Sequence, residues 1–468
     1  MSGEDDAAVS AKVQDVEEAD VDKVLEEQGM ANTEGMSFIE RLAEVFVGFL
    51  PLGLIAFGGP AAHIGILQQQ FVEKRKWLDT ERFVELMSVG QGLPGPTSTQ
   101  MVVAIGATRA GIPGGLVAFV LWNLPSFIVC VTVALLAVST LDETLPDYLI
   151  GLPAAATSLV FLAAYSLGVK VLSHEESYVQ KLKIALATAS TVGTLLITGD
   201  DRINNRWASL AFPVMLIIGG VITVVDSRRP GKLENYFTPP TEIDEADNRS
   251  ILKNINISPR LGLLLFITWI VTLVSFIALR SAGVLAPGGY GELFEAFFRT
   301  GSIIYGGGQV VLPMLLVEVV ETGWLAESDF FIGFGLVQSL PGPLFNFSSY
   351  LGAVYKGIVG ALVAWVGLFG PGLLLIFAFL PLWMHVRRNP TFKCFLAGVN
   401  AAAIGLIVAA CAQLWEKAVN SWASTAVFVL TGSLIRFFDV FVPLAILIGG
   451  LVGFLLSPTG VNFAQGFS

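Results

Sequence analysis

Gln91-Gly92-Leu93-Pro94-Gly95-Pro96-Thr97-Ser98-Thr99-Gln100 decides how the rest of the chain is read, because it returns as Gln338-Ser339-Leu340-Pro341-Gly342-Pro343-Leu344-Phe345-Asn346-Phe347-Ser348-Ser349. Both copies lie in stretches apolar enough for a membrane. Two prolines flanking a glycine cannot continue a helix, since each lacks an N–H and clashes with the preceding turn. Each copy is therefore predicted to break the chain at membrane depth. Proline suits the first turn of a new helix, so the hydroxyl and amide residues that follow are expected where a half-helix presents free N–H groups and its positive dipole end. Such an end attracts anions.

The composition sets the same frame. Of 468 residues, 54% are hydrophobic and 14% charged, and the mean hydropathy is +0.71, which places the chain among all-α, polytopic membrane proteins. The net charge of −11 is local: residues 1–35 hold eleven acids against two lysines. That segment reads as a disordered acidic tail without the basic start and apolar core of a secretory signal. Cys130, Cys394 and Cys411 are scattered through apolar stretches, which argues against a metal cluster or a disulfide framework. HExxH, GxSxG and GxxxxGK[ST] do not occur, so an enzyme is not expected, nor is a cofactor, a nucleotide site or a nucleic-acid partner.

The chain divides into a tail (1–35), a first transmembrane repeat (36–225), a polar linker (226–258), a connecting helix (259–285) and a second repeat (286–468). The halves match in order and spacing: Ala56-Phe57-Gly58-Gly59 with Ile304-Tyr305-Gly306-Gly307, Trp77-Leu78 with Trp324-Leu325, Gly106 and Gly111 with Gly352 and Gly357, and Pro125 with Pro371, at separations of 246 to 248 residues. Six apolar stretches per half, one of them Phe83–Ala107, and one stretch between the halves put an odd number of crossings between equivalent points. The repeats are therefore predicted to be inverted, the usual form of a secondary transporter. Thirteen crossings result, or ten to twelve if the region around Gly58-Gly59-Pro60 is re-entrant. With the N-terminus cytoplasmic, most loop Lys and Arg fall inside, the linker included, while Lys74-Arg75-Lys76 falls outside and breaks the rule.

The run from Phe57-Gly58-Gly59-Pro60 to His63, the basic Lys74-Arg75-Lys76-Trp77-Leu78 and the duplicated Leu-Pro-Gly-Pro together resemble the chromate ion transporter family in its long, two-domain form. The resemblance covers roughly 40–225 and 290–457. It implies a secondary transporter of chromate, and of sulfate, in the plasma (cell inner) membrane. The second half departs from the first: Gly308-Gln309 stands for Pro60-Ala61, Val311 for His63, and Glu321-Thr322-Gly323 for the basic triplet. The halves are therefore not expected to bind substrate equivalently.

Each candidate site residue carries two readings. Pro94, Gly95, Pro96 and Pro341, Gly342, Pro343 form either a substrate site or a packing kink. Thr97, Ser98, Thr99 and Gln100, with Asn346, Ser348 and Ser349, either donate to oxyanion oxygens or bond back to helix carbonyls. Gly58, Gly59 and Gly306, Gly307, Gly308 allow close approach of a ligand or of another helix. Gln91, Gln309 and Gln338 are neutral donors or interhelical bonds. Arg299 is a functional candidate as a cation in an apolar stretch, and the alternative is an i,i+4 pair with Glu295. Glu85 is the candidate for proton coupling, or else an acid fixed near Arg82 and Glu81. His63 belongs to the site or to a helix interface. The coupling species is a proton or a counter-anion, membrane lipid surrounds the body, and a homodimer is the assembly considered. An oxyanion channel and an intramembrane enzyme are the rival readings.

Overall fold

The computed structural model describes residues 36–57, 59–140, 151–172, 178–198, 205–233, 236, 257–304, 311–382 and 389–457. The tail and residues 237–256 of the linker lie outside them. The described residues form an all-helical membrane protein, and four helical stretches are long and apolar enough to cross a bilayer: Thr97–Val138, Pro259–Ser281, Leu344–Phe379 and Pro390–Ala418.

The first half opens with α1 (Phe38–Phe49) and the single turn α2 (Leu52–Ile55), stops at Ala56, resumes as α3 (Gly59–Gln68) and widens into a π turn (Gln69–Lys74). After it come α4 (Thr80–Gln91), the Leu-Pro-Gly-Pro break and α5 (Thr97–Thr140); α6 (Gly151–Leu172), α7 (Tyr178–Thr198) and α8 (Asn205–Ser227) complete the half. A connecting α9 (Pro259–Ser281) leads to the second half. There α10 (Tyr290–Ile303) stops at Ile304, α11 (Val311–Leu316) widens into a π turn (Val317–Glu321), and α12 (Glu327–Gln338) precedes the second break. A 3-10 turn (Leu344–Asn346) then opens α13 (Phe347–Phe379), followed by α14 (Pro390–Ala418), α15 (Trp422–Phe437) and α16 (Val442–Leu455). The repeat is thus structural down to its irregularities, with each π turn at the same place in its half.

Helices α5 and α13 are each two arms. Ala110 and Gly111 (φ 64°, ψ −157°) interrupt α5, and Lys356 and Gly357 (φ 65°, ψ −158°) interrupt α13 with nearly the same angles. Positive φ at this second residue is open to glycine at little cost. The chain folds back there: a Cβ on Gly106 would lie 2.6 Å from the Gly114 carbonyl oxygen, although eight residues of straight helix span about 12 Å. It also turns sharply at the Pro-Gly-Pro break, where a Cβ on Gly90 would lie 3.6 Å from that of Gln100. The stretch Phe83–Ala107, read from hydropathy as one crossing, is therefore two short helices meeting at a tip. Neither can cross alone, since twelve to fourteen helical residues span about 20 Å against a hydrocarbon core of about 30 Å. Thirteen crossings overcount the chain for this reason.

The second arms of α5 and α13 pack antiparallel. Gly115 faces the Phe377 ring, Phe119 lies 4.9 Å from Trp365 and 5.3 Å from Phe369, and Phe127 lies 5.2 Å from Trp365, so the register runs in opposite directions. Equivalent helices that run antiparallel make the repeats inverted. Phe119 and Trp365 are themselves repeat equivalents, so their contact marks the local two-fold axis. Around this centre, α14 passes against α7 and α8 through small residues: Gly398 meets Gly219, Gly405 meets Ala187, and Thr223 donates to the Cys394 carbonyl at 2.7 Å.

Candidate functional site

The two tips dock reciprocally. Gly95 N–H donates to the Ile304 carbonyl at 2.8 Å, and Gly342 N–H donates to the Ala56 carbonyl at 2.7 Å. Gly95 is the repeat equivalent of Gly342 and Ile304 of Ala56, so each half lays its tip on the break that ends the other half's first helical segment. The tip glycines have φ of 122° and 95°, values that L side chains resist. Behind the tips, the first turns of the α5 and α13 segments point inward. The first N–H groups of a helix have no intrahelical acceptor, and here they are buried with Ser98, Thr99, Asn346, Ser348 and Ser349.

His63 joins three of these elements. Its Nε2 lies 2.9 Å from the Ala56 carbonyl and its Nδ1 lies 3.1 Å from the Ser98 hydroxyl. A carbonyl only accepts, so Nε2 carries the hydrogen, and Ser98 donates to Nδ1 of the neutral ring. The Ala56 oxygen thus receives both His63 and the Gly342 N–H. Near this hub, Trp122 Nε1, Ser126 Oγ and Asn346 Nδ2 are buried without a hydrogen-bond partner, and among the described residues Thr99 Oγ1, Gln100 Oε1 and Gln338 Nε2 are as well. Trp122 stands edge-on to His63 at 5.1 Å. Ser126 has no nitrogen or oxygen partner, and its hydroxyl is within hydrogen-bonding reach of the Cys130 thiol, a weak acceptor. Buried donors are normally paired, by protein, water or ligand.

The family model described as chromate transporter matches residues 43–224 and 291–454, both halves of the repeat. The chain belongs to the chromate transporter family. It is 25% identical over 379 residues to the chromate transport protein of Pseudomonas aeruginosa, covering 81% of this chain and 82% of that one. The probable chromate transport protein of Synechococcus elongatus is 26% identical over 80% of this chain and 84% of its own length. For the chromate transport protein of Cupriavidus metallidurans the values are 23%, 89% and 94%. No solved structure gives a significant match. Membership makes the chain a multi-pass membrane transporter rather than an enzyme.

In this chromate transporter family member Arg299 is paired twice. Its Nε donates to Glu295 at 2.6 Å, and Nη1 and Nη2 donate in parallel to the two oxygens of Glu318, both at 2.9 Å. Arg280, at the end of α9, joins the same group through Glu295, through Glu292 at 3.5 Å and through Glu318 at 3.6 Å. The Glu295 partner was foreseeable from i,i+4 spacing. Glu318 was not, although a lone acid in Leu315-Leu316-Val317-Glu318-Val319-Val320 meets the rule that singled out Arg299. Two carboxylates take up the in-plane N–H donors of the guanidinium that would grip an oxyanion, so this geometry places Arg299 in a buried ion network at the α9–α10–π junction.

The other expected residues separate. Gln91 and Pro60 are exposed, Gly59 faces open space, and Glu85 is half-buried on α4. Ser348 and Ser349 donate back to the Phe345 and Asn346 carbonyls at 2.8 and 2.6 Å, the local alternative weighed for them. Gln100 Nε2 donates to the Pro94 carbonyl at 2.8 Å, tying its own tip. Gly58, Gly306, Gly307, Gly308 and Gln309 lie outside the described residues. Trp122 and Ser126 escaped the sequence reading because an indole and a hydroxyl in an apolar run look like ordinary core; their fully buried, unpartnered polar atoms become visible only in three dimensions.

Proposed function

We propose that this transporter carries chromate, and sulfate with it, across the plasma (cell inner) membrane by secondary transport, with the N-terminus cytoplasmic. The observation that carries the reading is the meeting of two inward-facing helix N-termini at reciprocally docked tips, with buried donors left over. An anion suits that environment because free N–H groups and the positive ends of two helix dipoles converge on it. Broken helices at the interface of inverted repeats are where transporters of this build hold substrate. Without an ATP-binding motif, transport draws on a proton or counter-anion gradient. Alternating access follows from one repeat moving against the other, exchanging the Gly95–Ile304 and Gly342–Ala56 contacts. The Arg299 network has a positioning role in this scheme, holding α10 where its end meets the first tip.

Purified protein in proteoliposomes is expected to take up chromate saturably, with sulfate as competitor, and to respond to an imposed pH or anion gradient. Replacing Thr97, Ser98 and Thr99 with Ala should lower uptake at least tenfold while membrane expression stays near wild type, since the unpaired Thr99 hydroxyl and the Ser98 hydroxyl that fixes His63 are lost together, and one hydrogen bond to a charged ligand is worth about 1.5–3 kcal/mol. Uptake that never saturates would indicate a channel, and normal uptake by the triple variant would reduce the first break to a kink.

A further inference from the structure

We propose that the oxyanion is held on one side of the local two-fold only, the His63 side, where Trp122, Ser126 and Asn346 supply its donors. This rests on the oxyanion-transport reading and assigns the binding residues within it. The argument is a comparison of each residue with its repeat equivalent. Trp122 corresponds to Leu368, Ser126 to Gly372, His63 to Val311 and Ser98 to Leu344. Each of these four polar groups is thus apolar or missing on the other side. Asn346 and Gln100, a pair that stays polar, differ in how they are used: Gln100 Nε2 is bonded to Pro94, whereas Asn346 Nδ2 has no partner and only its Oδ1 is engaged, accepting from Trp365 Nε1 at 3.0 Å.

The tips differ in what faces them across the two-fold. On the second side a Cβ on Gly95 would lie 3.1 Å from Gln100 Nε2 and 3.1 Å from the Gly372 Cα, so Gln100 also faces its tip, but bare backbone at Gly372 stands where the other side has the Ser126 side chain. On the His63 side, a Cβ on Gly342 would lie 3.4 Å from Asn346 Nδ2 and 3.8 Å from the Ser126 Cβ, with the Trp122 carbonyl at 3.4 Å. Asn346 Nδ2 therefore faces the tip beside the Ser126 side chain and the Trp122 backbone, while the Trp122 indole stands against His63, and all three side chains are at most 1% exposed. The ligand class that fits is a fully ionised tetrahedral dianion, which accepts hydrogen bonds at every oxygen and asks for donors alone. Neutral donors in a low-dielectric setting can hold such a charge because each bond to an ionised acceptor is strengthened.

Radiolabelled sulfate and chromate binding to the purified protein in nanodiscs tests this. Wild type is expected to bind one anion per chain. Ser126→Ala with Asn346→Leu should weaken binding about a hundredfold, two bonds to a charged ligand being lost, and Trp122→Phe, which keeps a buried ring, about tenfold. Gln100→Leu, the mirrored change, should shift affinity less than threefold, with melting midpoints confirming that each variant is folded. Two anions per chain, an equal loss from Gln100→Leu, or unchanged affinity in folded Trp122→Phe would overturn the assignment while leaving oxyanion transport intact. Absence of saturable binding to folded wild type would instead overturn the transport reading, and this assignment with it.

Discussion

Arg299→Leu is expected to remove most of the folded protein from the membrane, the largest effect of any single side-chain truncation proposed for this chain. Deleting the guanidinium takes from Glu295 and Glu318, which are 2% and 3% exposed, the cation that both of them bond, while Arg280 stays within reach of each. Breaking a buried ion pair from one side costs about 3–5 kcal/mol, a large part of the stability of an ordinary domain. Joint replacement of Arg299, Glu295 and Glu318 by Gln removes these charges together and leaves the Arg280–Glu292 pair, so its folded yield should return towards wild type. Fluorescence-detected gel filtration of detergent extracts reads both outcomes. A well-folded Arg299→Leu would mean that the network carries little of the stability, and the anion-binding role weighed for Arg299 would have to be reopened.

Gly106→Val and its repeat partner Gly352→Val should be comparably severe, and nearly equal to one another. A Cβ at Gly106 would stand 2.6 Å from the Gly114 carbonyl oxygen and 2.8 Å from the Ala118 Cβ, and one at Gly352 would meet the Gly360 backbone more closely still. Backbone cannot rotate away as a side chain does, so the two arms of α5 or α13 must separate, which pulls the tip from its docking site. Overpacking of this kind costs about 1–3 kcal/mol where neighbours are side chains, and more is expected here. Trypsin sensitivity and thermal midpoint of the two variants, compared side by side, check the prediction. A silent Gly352→Val beside a disruptive Gly106→Val would show that the two hairpins do not carry equal weight in the fold.

The parts of this fold that were legible in the sequence are those written in local chain chemistry. Pro94-Gly95-Pro96 and Pro341-Gly342-Pro343 announce a break because proline cannot propagate a helix, and paired landmarks such as Gly106 and Gly352 expose the duplication through spacing alone. The direction of the chain after a break was not legible. Hydropathy registers Phe83–Ala107 as apolar whether it continues or turns back, and Gly111 announces its positive φ no more than any other glycine. Within the site, the hydroxyl run after Pro96 was found by its position at a helix start. His63 was noticed, but its partner Ser98 lies thirty-five positions away in sequence, and no periodicity links α3 to α5. Trp122 and Ser126 were missed because an unpaired donor is a property of surroundings, which composition does not record.

The Ala56 carbonyl, which accepts both Gly342 and His63, bears on the energy balance of the alternating-access cycle proposed for this transporter. A carrier made of two identical inverted copies has inward-open and outward-open forms of equal free energy, since exchanging the copies converts one into the other. Here one junction is reinforced by the imidazole of His63 and the other has Val311 in its place, so the degeneracy is lifted. A single additional buried hydrogen bond is worth about 1 kcal/mol, which at room temperature corresponds to an occupancy ratio of about five between the two forms. The unloaded carrier would then rest mostly with one gate shut, and which side of the membrane it samples first would be decided by a residue that need never touch the cargo.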